Sequence, residues 1–206
     1  TLAARFQCDS QEMDCAGFTS QANRCGSLRP WQLEALSSWA AHGRCGVVQA
    51  ITGAGKTRVG LAAAWEGLEA GMTVVILVPR KVLLDQWFTE ASKAFGDSRY
   101  TIARLNSEHK PSYNFSGLLI AVVNSFATRM KEQWLDRRNV LLIADECHNY
   151  KADDGSSRGR SAALSPYFDY RLGLTATLDN HPVGEYFGGV VYTLAYRRAR
   201  DMAVVS

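Results

Sequence analysis

The sequence has little that would place it in a membrane, in an oxidising compartment or around a structural metal. Its longest apolar runs lie near Leu118–Val123 and Val140–Ala144, far short of the roughly 20 residues a membrane-spanning helix needs. The opening stretch, Thr1-Leu2-Ala3-Ala4-Arg5, lacks the apolar region of a secretory signal. The five cysteines, Cys8, Cys15, Cys25, Cys45 and Cys147, form no Cys-x-x-Cys pair, and their odd number argues against a disulfide framework. Cys8, Cys15 and Cys25 have no apparent fourth ligand, so ordinary thiols are expected. The net charge of +3 is too small to argue for nucleic acid unless a local basic face exists. These absences predict a soluble, cytoplasmic protein with no membrane partner.

What is present is the composition of one globular domain: 206 residues, 47% apolar and 21% charged, enough to bury a substantial core. Residues 1–27 are polar and aperiodic and read as an N-terminal arm with at most one short helix. Pro30 suits the first turn of a helix, which Trp31, Leu36 and Trp39 continue to about His42. Strands are expected at Gly46–Gln49, Thr73–Pro79, Tyr100–Leu105, Leu118–Val123, Val140–Ala144 and Arg171–Thr177, with an outlying one at Val190–Tyr196. Amphipathic stripes lie between them: Val59, Leu61, Ala64, Trp65 and Leu68; Leu83, Leu84, Trp87, Phe88 and Ala91; and Phe126, Met130 and Trp134. Gly71 reads as a helix C-terminal cap, and Lys151–Arg160 as a mobile loop. This alternation predicts an α/β fold, a mostly parallel sheet with helices on both faces. Ligands in such sheets bind beyond the carboxyl ends of the strands.

Four chemistry-bearing stretches fall at those ends. Ala50-Ile51-Thr52-Gly53-Ala54-Gly55-Lys56-Thr57 joins a strand to a helix. Its glycines let backbone N–H groups turn onto an anion, and the helix N-terminus adds unpaired donors. Lys56 carries a charge for the β- and γ-phosphates and Thr57 a hydroxyl for magnesium. The backbone of Thr52, Gly53, Ala54 and Gly55 completes the cradle of a nucleoside triphosphate. Asp145-Glu146-Cys147-His148 follows a wholly apolar strand. A carboxylate pair there suits anhydride hydrolysis: Asp145 for the metal, Glu146 for the attacking water. His148 then links the γ-phosphate site to a neighbouring element, and Cys147 reads as a packing thiol. The other two stretches are the Pro79-Arg80 corner and the Thr175–Thr177 turn.

Together these motifs resemble the superfamily 2 helicases and translocases, specifically their first RecA-like domain, over roughly residues 28–195. Leu28-Arg29-Pro30-Trp31-Gln32 looks like the Q-motif, which implies that Gln32 reads the adenine edge with Arg29 beside the base or fixing its loop. Ala50–Thr57 is similar to motif I in its alanine-first form. Val78-Pro79-Arg80 through Trp87 resembles motif Ia, implying nucleic-acid phosphate contacts from Arg80, Lys81 and Arg129. Val122–Phe126 falls where the next strand-touching motif lies, and brings in Asn124. Asp145–His148 is a "DECH" variant of the DEAD and DEAH boxes. Leu172–Thr177 looks like motif III, in which Thr175, Ala176 and Thr177 couple hydrolysis to strand movement. Thr-Ala-Thr, with Phe187–Tyr192 downstream, leans toward the DNA-directed XPB-like and restriction-type branches, so DNA is favoured over RNA.

The resemblance implies ATP and magnesium as cofactors and, as partners, nucleic acid and a second RecA-like domain that supplies arginine fingers. Nothing between Thr177 and Ser206 resembles that second domain. Residues 28–196 are therefore read as the ATP-binding domain, and residues 197–206 as the start of a connection to its partner. Such a half-site is expected to be inactive or weakly active alone. A module that holds nucleotide or DNA without turnover remains the alternative. A phosphate-loop kinase or GTPase would leave Gln32, motif Ia and Thr-Ala-Thr unexplained.

Overall fold

The computed structural model describes residues 27–130, 135, 139–150, 168–178, 183–202 and 204. The polar arm with Cys8, Cys15 and Cys25, the loop Lys151–Arg160 and Trp134 lie outside the described residues. In chain order the elements are α1 (Pro30–Ala41), β1 (Cys45–Ala50), α2 (Lys56–Glu69), β2 (Thr73–Val78), α3 (Lys81–Phe95), β3 (Ile102–Leu105) and β4 (Leu118–Val122). They continue with α4 (Val123–Met130), β5 (Val140–Asp145), a 3₁₀ turn (Cys147–Asn149), β6 (Tyr170–Thr175), α5 (Val183–Phe187), β7 (Val190–Leu194) and α6 (Tyr196–Asp201).

The strands form one sheet in the order β3-β4-β2-β5-β6-β1-β7, and every pairing between them is parallel. The expected sheet was mostly parallel; among the described residues it is entirely so. A strand buried on both faces reads as a continuous apolar run, and β2 and β5 show why. Val74, Ile76 and Val78 point into one core with Trp65, Leu84, Trp87 and Phe95, while Val75 and Leu77 point into a second with Phe126, Tyr150 and Phe187. The two-residue period of a strand thus divides one apolar segment between two layers. Helices α1, α2, α3 and α6 contribute to the first core, and α4, α5 and the 3₁₀ turn to the second.

Several boundaries differ from expectation for local reasons. β2 stops at Val78, because Pro79 has no N–H to add to a ladder. Val123 opens α4 instead of closing β4, so Asn124 lies in a first helical turn. That helix ends at Met130 among the described residues. Gly71, at φ +76°, takes the left-handed conformation that glycine permits just past the end of α2. Residues 196–201 form α6, whose Ala199 is fully buried in the first core, with Val204 beside it. Arg198 Nη2 also donates to Glu34 Oε2 of α1 at 2.7 Å. This segment packs back on the domain.

Candidate nucleotide site

Register alignment of three strands assembles the site. Gln49 of β1 pairs with Thr175 of β6, and Asp145 of β5 pairs with Leu174 of β6. The phosphate-loop motif, the Thr175 turn and the Asp145 box therefore leave the same edge side by side, within about 10 Å across three strands. α2 begins at Lys56 directly after Gly55, which caps it in the left-handed region at φ +99°. Gly53, at φ +79°, has nothing within 4 Å of where a Cβ would stand. Its backbone is open to an approaching group.

Lys56 is 8% exposed. Its Nζ donates to Ala50 O at 2.9 Å and Ile51 O at 3.4 Å, so the ammonium also holds the entry of the loop. Burial lowers its pKa, partly offset by Glu146 and then Asp145. Gln32 is 1% exposed and acts as a tie. Its Nε2 donates to Gly55 O at 3.0 Å, and its Oε1 accepts from the Arg29 N–H at 2.8 Å. Arg29 does more than the sequence suggested: its Nη1 donates to Ala54 O at 3.2 Å and to Val204 O at 3.4 Å. Gln32 and Arg29 thus fasten the loop to α1 through two of its carbonyls.

Asp145 ends β5 and is also 8% exposed. Its Oδ2 accepts from the Trp87 indole N–H at 2.7 Å and its Oδ1 from the Glu146 N–H at 3.0 Å. Burial raises its pKa, and the Trp87 hydrogen bond acts against that. Glu146 sits at φ +49°, a left-handed turn that swings the chain out of the strand into the 3₁₀ turn. The tautomer of His148 follows from its neighbours. Asn149 Nδ2 donates to Glu146 O at 3.2 Å, which fixes the orientation of the amide, and the same Nδ2 lies 3.1 Å from His148 Nε2. Nε2 is therefore the acceptor, and Nδ1–H donates to Thr175 Oγ1 at 2.7 Å. That hydroxyl donates in turn to Thr177 O at 2.7 Å. Glu146 Oε2 lies 3.4 Å from the same Nδ1.

Thr57 and Asp145, the two residues assigned to magnesium, line one cavity of about 650 Å³ with Trp87, Leu83, Gln86 and Glu90. A hydroxyl and a carboxylate, whose oxygens keep lone pairs beyond those already engaged, are hard oxygen donors of the kind magnesium takes. The donor set fits the metal, and at Gly53 the loop is open to an anion.

The nucleic-acid candidates fall at the same edge but across the sheet, at the ends of β2, β3 and β4. Arg80 precedes α3 and is exposed. Lys81 Nζ donates to Glu108 Oε1 at 2.6 Å in a solvent-exposed pair. Asn124 and Arg129 line a second cavity of about 310 Å³ with Asn106, Ser107, Lys110 and Thr128. Arg129 Nη2 donates to Pro111 O at 3.3 Å, and its guanidinium lies 4.7 Å from the centroid of the Tyr113 ring. The four residues thus occupy two places, the start of α3 and the α4 cavity.

In the sequence Trp87 belongs to an apolar stripe and closes the stretch that resembles motif Ia, with no sign of its hydrogen-bond partner. The available signal was that a buried tryptophan needs a partner for its N–H. Asn149 directly follows the Asp145–His148 box and carries no other signal in the sequence.

Residues 26–180 match the family model described as Type III restriction enzyme, res subunit. No curated protein matches the chain in sequence. Similar solved structures include a variant of S. cerevisiae Dbp5 bound to RNA and ADP BeF3, at 14% identity and TM-score 0.67, over 88% of this chain and 50% of that one. The Sulfolobus solfataricus SWI2/SNF2 ATPase core in complex with dsDNA is 20% identical with TM-score 0.63, over 79% and 36% of the two chains. The UvsW helicase from bacteriophage T4 is 17% identical with TM-score 0.64, over 89% and 68%. The chain spans half the length of the Dbp5 chain and less of the SWI2/SNF2 core. At these identities the likeness establishes the fold alone, a RecA-like parallel α/β domain.

Proposed function

We propose, for a chain that belongs to the family of the Type III restriction enzyme res subunit, that it is the first motor domain of an ATP-dependent helicase or translocase acting on DNA in preference to RNA. The observation that carries this is the shared cavity of Thr57 and Asp145, one helical turn and one strand end brought together beside the Lys56 loop. Thr52, Gly53 and Gly55 present backbone N–H groups to the phosphates, the Ala54 N–H being turned onto Ile51 O at 3.3 Å, and Lys56 places its charge there. Thr57 and Asp145 would hold magnesium, which would neutralise charge on the phosphates. Glu146 accepts a proton from the attacking water. His148 ties that carboxylate to Thr175, and through its hydroxyl to Thr177, the route by which hydrolysis reaches the strand. Arg80, Lys81, Asn124 and Arg129 meet nucleic-acid phosphates, and a second RecA-like domain completes the site.

Phosphate release tests the proposal, measured for this chain alone and for the chain joined to its second RecA-like domain, with DNA, with RNA and without either. Turnover is expected to be slow for the chain alone, DNA-stimulated in the joined protein, and abolished there by Glu146→Gln with ATP binding retained. Binding without any turnover above the Glu146→Gln background would favour a motor-like module that only holds its ligands.

A further inference from the structure

We infer that Trp87 is a positioning residue for Asp145: its indole N–H fixes the carboxylate for the metal, and Gly60 is the gap through which the ring reaches it. This rests on the magnesium–nucleotide reading of the site and adds a residue to it.

The bond runs between elements far apart in sequence, from α3 to the end of β5, with Nε1 2.7 Å from Oδ2. Trp87 is 2% exposed, so its N–H has no bulk water as a substitute. The indole N–H can only donate, and Glu146 N–H takes the other oxygen. Donors from two separate elements therefore leave the carboxylate one orientation, with its remaining lone pairs on the cavity that Thr57 also lines. A phenylalanine would keep the apolar character of the α3 stripe, beside Leu84, Ala91 and Phe95, but has no N–H to give Asp145. What the indole adds is the hydrogen bond.

Gly60 supplies the independent observation. It sits mid-helix in α2, where glycine is unfavourable by about 1 kcal/mol against alanine, so a reason is needed for it. A Cβ there would stand 2.6 Å from Trp87 Cη2 and 3.1 Å from Leu174 Cδ1. The ring lies where the missing side chain would be, and any larger residue pushes it off Asp145.

Nucleotide titrations with fluorescent ADP test this, run in EDTA and then as a function of magnesium, on wild type, Trp87→Phe, Gly60→Ala and the double variant. Affinity in EDTA is expected to stay within about twofold. The magnesium concentration for half-maximal effect should rise about tenfold in each single variant, the range seen when a partner of a metal ligand is removed. The double variant should add little, because both changes break one bond. A merely structural role would lower affinity with and without metal alike. Unchanged magnesium dependence in Trp87→Phe, or full additivity, would overturn the inference. Wild type with no nucleotide binding would instead overturn the site itself. Should Trp87→Phe not fold, the wild-type indole resonance decides: it should move on addition of magnesium with ADP, and an unmoved resonance overturns the inference.

Discussion

His148 Nδ1 donates to Thr175 Oγ1 at 2.7 Å, joining the acidic box after β5 to the turn after β6. The Thr175 hydroxyl passes the chain on to Thr177 O, so one side chain bridges two motifs. Thr175→Val keeps the shape but leaves the His148 N–H and the Thr177 carbonyl without this partner. Nucleotide affinity should stay within about threefold, since neither group lies in the phosphate loop. DNA-stimulated turnover in the two-domain protein should fall about tenfold, within the range of one lost hydrogen bond to a catalytic element. Thr175→Ser should restore it. Equal stimulation in Thr175→Val and wild type would remove the coupling role.

Arg80 stands exposed beside the start of α3. If it meets a phosphate, DNA affinity should fall steeply with salt and depend little on sequence, because the contact works by releasing counterions. Arg80→Ala should reduce the slope of log K against log salt by about 1, and Arg80→Glu should weaken binding further. A fluorescence-anisotropy salt series reads this. Slopes that match wild type would take Arg80 out of the interface.

Cys147 is fully buried under β6, and burial first, then Glu146 and Asp145, push its thiol up to about 12. The neutral form is thus favoured, so the reactive thiolate becomes abundant only as pH approaches 12. At pH 8.5 an ordinary thiol is about half ionised. Iodoacetamide at that pH should label half-buried Cys45 in the native protein and Cys147 only after unfolding. Peptide mass mapping separates the two sites. Native labelling of Cys147 at the Cys45 rate would contradict the packing described.

Much of this architecture is readable from local pattern. The apolar runs became β2, β4 and β5 because strands buried on both faces need no polar alternation. The glycines of the phosphate loop and the acidic box after β5 follow from chemistry that depends on near neighbours. The tertiary bonds were not readable. Trp87 looks like any other member of the α3 stripe until β5 is placed beneath it. Gln32 and Arg29 carry no local sign that they hold the carbonyls of Gly55 and Ala54. The fold of α6 back onto α1 depends on Arg198 finding Glu34, 164 residues earlier in the chain, a distance that no periodicity spans.

A calorimetric titration of this chain with ADP in the presence of magnesium shows whether the Lys56 loop is a nucleotide site. Saturable binding at one site is expected, weakened but still measurable in EDTA, and reduced at least tenfold by Lys56→Ala, since Lys56 meets the phosphates in the ground state. Absent binding, or a Lys56→Ala variant that binds as tightly as wild type, would contradict it.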